Sequence, residues 1–402
     1  MKTAGLLGLV LAGGGCIHST ALPPAIPTGD LAADLDWSPV TSVLDSAVGA
    51  GVSPGAVLGV SAGGRRMIYG TGRLGLALPD RPDSMTLYDL ASLTKVVGLT
   101  TAVMIAVDRG LLELDAPVRR YVPAFGGGRK DLVTIRHLLT HSAGLPAWRP
   151  LFRQTQSRAA ALALADSTSL DTVPGSVTVY SDLGAFVLTQ AVESVWGSRI
   201  DTILAHDVFP ALGMRHIRYL PPADLRPHIA PTERDPWRGR MLWGEVHDEN
   251  AARLDGVSGH AGLFGTVTDL MTFGEWYLAR LAEADVEDDP RCKGDAPPGL
   301  LPILVCAGPL VREFTRRQEV VPGSSRALGW DTPTGTNSAG TLLSSLSFGH
   351  TGFTGTSLWI DPSRQLVLVL LTNRVHPTRE NNRTGPLRRA VADRVVGVLE
   401  RH

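Results

Sequence analysis

Lys95 is the residue that most restricts what this chain can fold into. It is one of four lysines, and it lies within an otherwise apolar helical stretch, three residues after Ser92. Three residues make almost one helical turn, so both side chains share a face. A serine at a helix start also meets the positive end of the helix dipole. Ser92-Leu93-Thr94-Lys95 therefore indicates a nucleophile beside a base, although an N-cap serine followed by a lysine that reaches solvent has the same spacing.

The bulk composition is that of an ordinary globular protein. The chain has 402 residues, of which 44% are hydrophobic and 19% are charged, enough for a large core in one or two domains. Its net charge of −1 gives no reason to expect a nucleic acid or an acidic membrane surface as a partner. No apolar run reaches the roughly 18 residues that a membrane-spanning helix needs.

The N-terminus, residues 1–20, reads as an export signal. Met1-Lys2 supplies a positive start, and a short apolar stretch ends in small residues before Cys16. This pattern is similar to a bacterial lipoprotein cleavage site, although Gly13 stands where a larger apolar residue is usual. The alternative is a plain signal peptide that is cut nearby. We therefore expect a periplasmic or cell-envelope protein with a lipid on Cys16, followed by a proline-rich linker over residues 21–36.

Two further cysteines, Cys292 and Cys306, flank a Pro/Gly-rich stretch. In an exported protein, a disulfide that closes a surface loop is the natural interpretation. A metal site is a weaker interpretation, because neither cysteine belongs to a C-x-x-C pair.

Residues 37–402 are expected to form one domain. Apolar spacing predicts a first helix over 39–50, capped by Ser38, and a last helix over about 386–400. A β-hairpin is predicted over 56–70, turning at Gly63-Gly64, and two further strands near the C-terminus. The middle, about 115–285, is mostly helical. The predicted fold is thus α/β (α+β), with a sheet built from both chain ends, flanking helices and an inserted helical lobe, and with a cleft at the junction.

Two more motifs accompany the serine and lysine: Tyr180-Ser181-Asp182 and His350-Thr351-Gly352. In order and spacing, the three motifs resemble those of the penicillin-recognising serine hydrolases of the β-lactamase/transpeptidase-like fold. That family includes class C β-lactamases, D-alanyl-D-alanine carboxypeptidases and related esterases. The resemblance covers residues 38 to 400, and further segments carry it: 134–146, 211–214, 246–251 and 259–264. The last two resemble an exported branch described as periplasmic esterases or penicillin-binding proteins.

The resemblance implies a role for each motif residue. Ser92 would be the nucleophile, and its base would be Lys95 or Tyr180, which we treat as a coupled pair. The backbone N–H groups of Ser92 and Phe353 would form the oxyanion hole, where each donor is worth roughly 3–4 kcal/mol. His350, Thr351 and Gly352 would line the substrate site, and Gly352 would let the strand approach the substrate. The family needs no cofactor for this chemistry.

Two residues depart from the common family pattern. Asp182 stands where asparagine is frequent, and its carboxylate would keep Lys95 charged and favour Tyr180 as the proton acceptor. His350 stands where lysine is frequent, and histidine carries charge only below a pKa of roughly 6.5. Both changes occur among the esterase-like members. We therefore expect weak binding of carboxylate-bearing substrates and poor β-lactam turnover, unless Arg374 supplies the missing anion contact; a solvated surface charge is an equal alternative for this arginine.

The remaining histidines are expected to serve packing or to line the cleft. His247, Asp248 and His260 fit no known metal-ligand spacing, so no metal is predicted. His137 and His141 are interpreted as packing residues, and Trp148 as a residue of the cleft wall.

The sequence thus predicts an exported serine hydrolase that forms an acyl-enzyme at Ser92. Its small-molecule or peptidoglycan-derived substrate would be an ester, a D-alanyl peptide or a β-lactam, in decreasing order of expected turnover. The alternative is a penicillin-binding sensor that is acylated without turning over. A catalytically dead scaffold is disfavoured, because every catalytic residue type is present.

Overall fold

The computed structural model describes residues 28–283, 307–335 and 337–401. The expected export signal and the predicted Cys292–Cys306 disulfide lie outside these residues. The strands are β1 (Gly55–Ala62), β2 (Arg65–Gly72), β3 (Tyr88–Asp89), β4 (Arg234–Asp235), β5 (Arg240–Met241), β6 (Phe264–Gly265), β7 (Phe348–Thr351), β8 (Ser357–Asp361) and β9 (Leu366–Thr372). The α-helices are α1 (Ser38–Gly49), α2 (Thr101–Asp108), α3 (Ile135–Leu139), α4 (Leu151–Gln154), α5 (Arg158–Ser167), α6 (Asp182–Trp196), α7 (Ile200–Ile203), α8 (Glu249–Arg253), α9 (Val267–Ala282), α10 (Gly308–Thr315) and α11 (Thr384–Leu399).

The central sheet joins the two ends of the chain, as the sequence predicted. Its five strands are antiparallel in the order β2-β1-β9-β8-β7, and Leu58 of β1 pairs with Leu370 of β9. The predicted hairpin is β1 and β2, with its turn at Gly63-Gly64 in the left-handed region. Strand β7, which carries the third motif, is the edge strand of the sheet, and on its outer side Gly349 bridges to Asp331, two residues before Thr351.

Helices cover both faces of the sheet, because side chains along a strand alternate between faces. Leu366, Leu368 and Leu370 pack in the cluster formed with α1 and α11. Val367, Val369 and Leu371 pack in the cluster that contains α9 and most of the helical segment. The helical lobe and the inner face of the sheet thus share one continuous core, which fixes the lobe against the edge strand.

Two local expectations were wrong. Ser38 lies inside α1, and the N-cap residue is Trp37, whose side chain makes no capping hydrogen bond. Residues 28–36, predicted as part of a free linker, pack against the hairpin: Thr28 forms a bridge with Ile68, and Leu31 is buried. Leu31 packs in the same buried cluster as Trp37, an apolar contact that the polar residues of this segment did not suggest.

No helix in the described ranges is long and apolar enough to cross a membrane.

Candidate active site

Ser92 follows a strained turn. Ala91, immediately before it, has a φ of 47°, a left-handed conformation that costs a non-glycine residue about 1 kcal/mol or more. Asp89 holds this turn, since its carboxylate accepts the Ala91 N–H at 2.8 Å and the His247 N–H at 2.6 Å. The turn leads into a π-helical segment, Lys95–Thr100, which continues as α2. Such π-helical insertions are frequent at functional sites.

Gly352 brings the end of β7 against this turn. A Cβ atom at Gly352 would lie 2.5 Å from the Leu90 carbonyl oxygen and 2.1 Å from Thr356 Oγ1, so only glycine fits. The close approach places Phe353 in the pocket that Ser92 also lines. Among the described residues, neither the Ser92 nor the Phe353 N–H donates to a protein acceptor. Both groups are therefore available as the oxyanion donors that the resemblance implies.

Lys95 is a buried ammonium with three acceptors. Its Nζ contacts Ser92 Oγ at 3.1 Å, the His260 carbonyl oxygen at 3.1 Å and Asp182 Oδ1 at 2.7 Å. Burial alone would lower the pKa of Lys95, but the charge of Asp182, with Tyr180, raises it above its ordinary value. Lys95 is therefore protonated at rest, as the sequence analysis expected from the carboxylate at position 182.

Tyr180 is the second member of the pair. Its ring centroid lies 4.9 Å from Lys95 Nζ and 4.6 Å from the His141 ring. Burial raises the pKa of Tyr180, and the opposing effect of Lys95 does not cancel this. Tyr180 is therefore neutral at rest, and its hydroxyl makes no protein hydrogen bond of normal geometry. The resting site thus holds neither a neutral lysine nor a tyrosinate.

His141 supports the second motif rather than only filling space. Its Nδ1 accepts the Ser181 N–H at 3.2 Å, and Ser181 in turn caps α6 through a hydrogen bond from the Gly184 N–H. Burial, with the nearby charges of Arg326 and Lys95, lowers the pKa of His141 well below its ordinary value. A neutral His141 is required here, because only an unprotonated Nδ1 can accept from Ser181. The sequence analysis missed this link between two motifs.

His350 lies in the pocket as a neutral residue. Burial, followed by the charges of Arg326 and Lys95, lowers its pKa to about 3. Its Nδ1 lies 2.8 Å from the Thr351 carbonyl oxygen, which fixes the ring beside Tyr180. At neutral pH, His350 therefore supplies no positive charge to a substrate carboxylate.

Arg326 places a cation in the same pocket. Its guanidinium carbon lies 5.4 Å from the Tyr180 ring centroid, and its side chain lines the pocket with Ser92 and His350. Its Nη1 is buried without a hydrogen-bond partner, and the side chain makes no ion pair with any described residue. Arg326 as a whole is half-buried, and a buried guanidinium nitrogen without a partner is costly, which points to an anionic ligand. No motif or periodicity marked this loop arginine in the sequence.

Arg374 lines the pocket and is not a solvated surface charge, which was one of the two alternatives considered for it. Its Nε donates to the Phe353 carbonyl oxygen at 2.7 Å, and its Nη1 donates to the carbonyl oxygens of Arg379 and Asn381 at 3.1 and 2.6 Å. It is 6% exposed. Arg374 therefore holds Phe353 in place, and the guanidinium over the Phe353 ring at 4.4 Å supports this.

The pocket at these residues has a volume of about 500 Å³. Six predicted site residues line it: Ser92, Tyr180, His350, Thr351, Gly352 and Phe353. Lys95 and Asp182 lie directly behind Ser92 through the contacts given above. The structure thus brings all eight predicted site residues to one place. Trp148, predicted to belong to the cleft wall, is half exposed and does not line the pocket.

Asp248 and His260 extend the site behind Lys95. His260 Nε2 lies 2.8 Å from Asp248 Oδ1, and its Nδ1 lies 2.7 Å from Ser258 Oγ. Asp182, Asp248 and His260 bring potential metal-ligand atoms within 4.8 Å of one another, a grouping that the sequence spacing did not reveal. The Lys95 ammonium already contacts Asp182 in this group.

Comparison with known proteins places this geometry in a family. The family model described as Beta-lactamase matches residues 40–393. A protein named "Putative D-alanyl-D-alanine carboxypeptidase" from Salmonella schwarzengrund is 32% identical over 344 residues, covering 77% of this chain and 74% of that protein. The same name is given to a Salmonella typhimurium protein that is 31% identical, with the same coverage.

Solved structures share the fold. EstCE1, described as a hydrolase with promiscuous acyltransferase activity, gives a TM-score of 0.69 at 21% identity, over 89% of this chain and 97% of its own. A class C β-lactamase from Rhodobacter sphaeroides gives 0.66 at 21% identity, over 90% and 99%. The fold is therefore β-lactamase/transpeptidase-like, and the chain belongs to the β-lactamase family of serine hydrolases.

Proposed function

We propose that this chain is a hydrolase that forms an acyl-enzyme at Ser92 and releases a leaving group bearing a carboxylate. The terminal D-alanine of a D-alanyl-D-alanine peptide is such a leaving group. The unpaired Arg326 guanidinium in the pocket carries this proposal, because it is the charge that a substrate carboxylate needs beside the nucleophile. It reverses the expectation of weak carboxylate binding that rested on His350.

The residues have separate tasks in the proposed reaction. Ser92 Oγ attacks the scissile carbonyl carbon, and the Ser92 and Phe353 N–H groups donate to the oxygen that becomes negative. Lys95, Tyr180 and Asp182 take up the Ser92 proton as a coupled unit, because Lys95 and Tyr180 each carry a proton at rest. The unit then returns a proton to the leaving amine. A water molecule attacks the acyl-enzyme by the same route and restores Ser92.

The relatives named above agree with this substrate class. They carry the name of a D-alanyl-D-alanine carboxypeptidase and are similar over about three quarters of their length. We extend that activity to this chain as a proposal, since Arg326 offers a place for the terminal carboxylate.

Intact-mass measurement tests the proposal. The protein and its Ser92→Ala variant are incubated with a D-alanyl-D-alanine peptide and, separately, with a penicillin, and both adduct mass and free D-alanine are followed over time. We expect D-alanine release and a penicillin adduct on the wild type alone. Ser92→Ala protein that still releases D-alanine, or wild type that forms no adduct and releases nothing, would contradict the proposal.

Esterase activity is a second candidate, and the neutral His350 favours it. A pocket whose third motif carries no charge also accepts an uncharged leaving group. A neutral ester turned over faster than the peptide would support this candidate. A penicillin adduct that persists while no peptide is cleaved would instead support the sensor role, because deacylation separates an enzyme from a sensor.

We also propose that the protein is exported and is attached to a membrane by a lipid on Cys16. Support comes from the charged start, the short apolar stretch and the small residues before Cys16. The test is cell fractionation of wild type and Cys16→Ser protein, followed by mass measurement of the mature N-terminus. We expect the wild type in the membrane fraction with a lipid mass on Cys16, and release of the variant.

A further inference from the structure

A second carboxylate lies beside the base group and has no task in the reaction described above. Asp248 is in contact with His260, and its carboxylate oxygen lies within 4.8 Å of the Asp182 carboxylate. Burial alone would raise the pKa of Asp248. This effect is outweighed by His260, the Ala251 amide and Lys95, so the pKa lies well below its ordinary value. The buried cluster behind Ser92 therefore contains two carboxylates and the Lys95 ammonium.

The charge of this cluster decides whether it can take up a proton. Lys95 and Asp182 alone form a neutral pair, and adding the Ser92 proton would leave a net positive charge in a buried site, which is unfavourable. With the Asp248 carboxylate present, Lys95, Asp182 and Asp248 together begin at a net charge of −1 and end neutral. The second carboxylate thus favours proton uptake by the cluster.

We propose that Asp248, held by His260, is a positioning residue whose negative charge enables the Lys95–Asp182 pair to accept the Ser92 proton. As the Ser92 oxygen forms its bond to the acyl carbon, the Ser92 O–H proton moves to Lys95, and Lys95 passes one of its own protons to Asp182. The carbonyl electron pair moves to the oxygen held by the two N–H groups. Charge is conserved, because the cluster gains one positive charge and the oxyanion one negative charge.

The hydrogen bonds at His260 suit this task. His260 Nε2 contacts Asp248 Oδ1 and its Nδ1 contacts the Ser258 hydroxyl, so both ring nitrogens are held. Phe186 of α6 packs edge-on against the ring at 4.5 Å. The charged groups grouped around His260 are Asp248 at the start of α8, Asp182 at the start of α6, and Lys95, whose ammonium donates to the His260 carbonyl oxygen.

The inference rests on Ser92 as the nucleophile, and Asp248→Asn tests it separately. Asparagine keeps the acceptor for His260 and can still cap α8, where Asp248 Oδ1 accepts the Ala251 N–H at 2.8 Å. Only the charge is removed. The assay is pre-steady-state acylation by a chromogenic ester across pH, with the melting temperature and KM measured alongside.

We expect Asp248→Asn to acylate roughly 10- to 100-fold more slowly, a smaller loss than the 10²–10⁴ of a direct general base. We also expect its acid limb to move to lower pH by about one unit, because loss of a nearby anion lowers the pKa of the remaining acid–base groups. His260→Gln keeps both the charge of Asp248 and a donor to it, so it should lose less rate than Asp248→Asn.

Asp361→Asn is the matched control. Asp361 is another buried aspartate that caps a helical turn. It is the last residue of β8, whereas Ser357, the first residue of β8, pairs with Thr351. Its replacement should leave the acylation rate and the acid limb unchanged. Unchanged acylation in Asp248→Asn would show that Asp248 is only a helix cap. A slower rate with an unmoved acid limb and a fall in melting temperature would also overturn the inference. Activity in Ser92→Ala would instead contradict the proposed function itself.

Discussion

Arg326→Gln should separate substrates with a terminal carboxylate from those without one. The variant loses a guanidinium that lines the pocket beside Tyr180 and whose Nη1 has no hydrogen-bond partner among the described residues. Two unit charges at about 4 Å attract by roughly 4 kcal/mol at an effective dielectric constant of 20. Desolvation of both groups offsets part of this, so a net loss of about 2–3 kcal/mol is expected. This corresponds to roughly a 30- to 150-fold fall in kcat/KM.

The assay compares one N-acylated D-alanyl-D-alanine peptide with the same peptide carrying a C-terminal amide. The kcat/KM of Arg326→Gln should fall for the peptide that ends in a free carboxylate. For the peptide that ends in an amide, kcat/KM should change by less than about threefold. Arg326→Lys keeps the charge without the planar fork and should recover part of the loss. Arg317→Gln is a matched control, since that guanidinium donates to Thr332 and Pro333 in the same loop. Equal losses on both peptides would refute the assignment of Arg326 to the carboxylate.

Three further predictions concern the motif residues. Asp182→Asn removes the anion that raises the pKa of Lys95, so pH-dependent reductive methylation followed by mass spectrometry should modify Lys95 at lower pH than in the wild type. Gly352→Ala would force apart the contact with Leu90, so we expect at least a 10²-fold slower acylation and about 1–3 kcal/mol less stability in denaturant titrations. In the unfolded chain His350 protonates near pH 6.5, but in the folded protein only near 3. The unfolded state therefore binds more protons in this range, and stability should fall by up to about 1.4 kcal/mol per pH unit as the pH drops. His350→Gln should remove this slope when unfolding free energies are compared at pH 7 and 5.

Much of the fold could be predicted from periodicity because its elements are locally consistent. The hairpin follows from two strand-like runs split by Gly63-Gly64, and α1 and α11 follow from apolar spacing near 3.6 residues. Capping was harder, because whether Ser38 or Trp37 precedes α1 depends on how Trp37 packs. Residues 28–36 were predicted as linker for the same reason. Their conformation depends on contacts with a distant strand, Arg65–Gly72, and not on their own composition.

Some residues of the candidate site could likewise be predicted from the sequence, and others could not. The three motifs and the consequence of Asp182 for Lys95 could be read from residue types, because each motif is short and chemically distinctive. Arg326 could not, because a lone arginine in a loop has no pattern, and only the fold shows that its guanidinium enters the pocket. Asp248 and His260 were considered as a metal site or as packing residues, since their relation to Lys95 spans more than 150 positions of sequence.

These findings indicate that the charges of the site have been redistributed relative to the common family pattern. The lysine usual at the third motif is replaced by His350, which the pocket keeps neutral, while Arg326 brings a cation from another loop. A permanent cation at position 350 would lie beside Arg326, and two adjacent positive charges in a buried pocket would repel each other. Burial and, after it, the charge of Arg326 keep His350 neutral, just as the charge of Asp182 keeps Lys95 protonated. A change at one of these positions should consequently alter the charge tolerated at its neighbour, so variants at Arg326 and His350 should show non-additive effects on peptide cleavage.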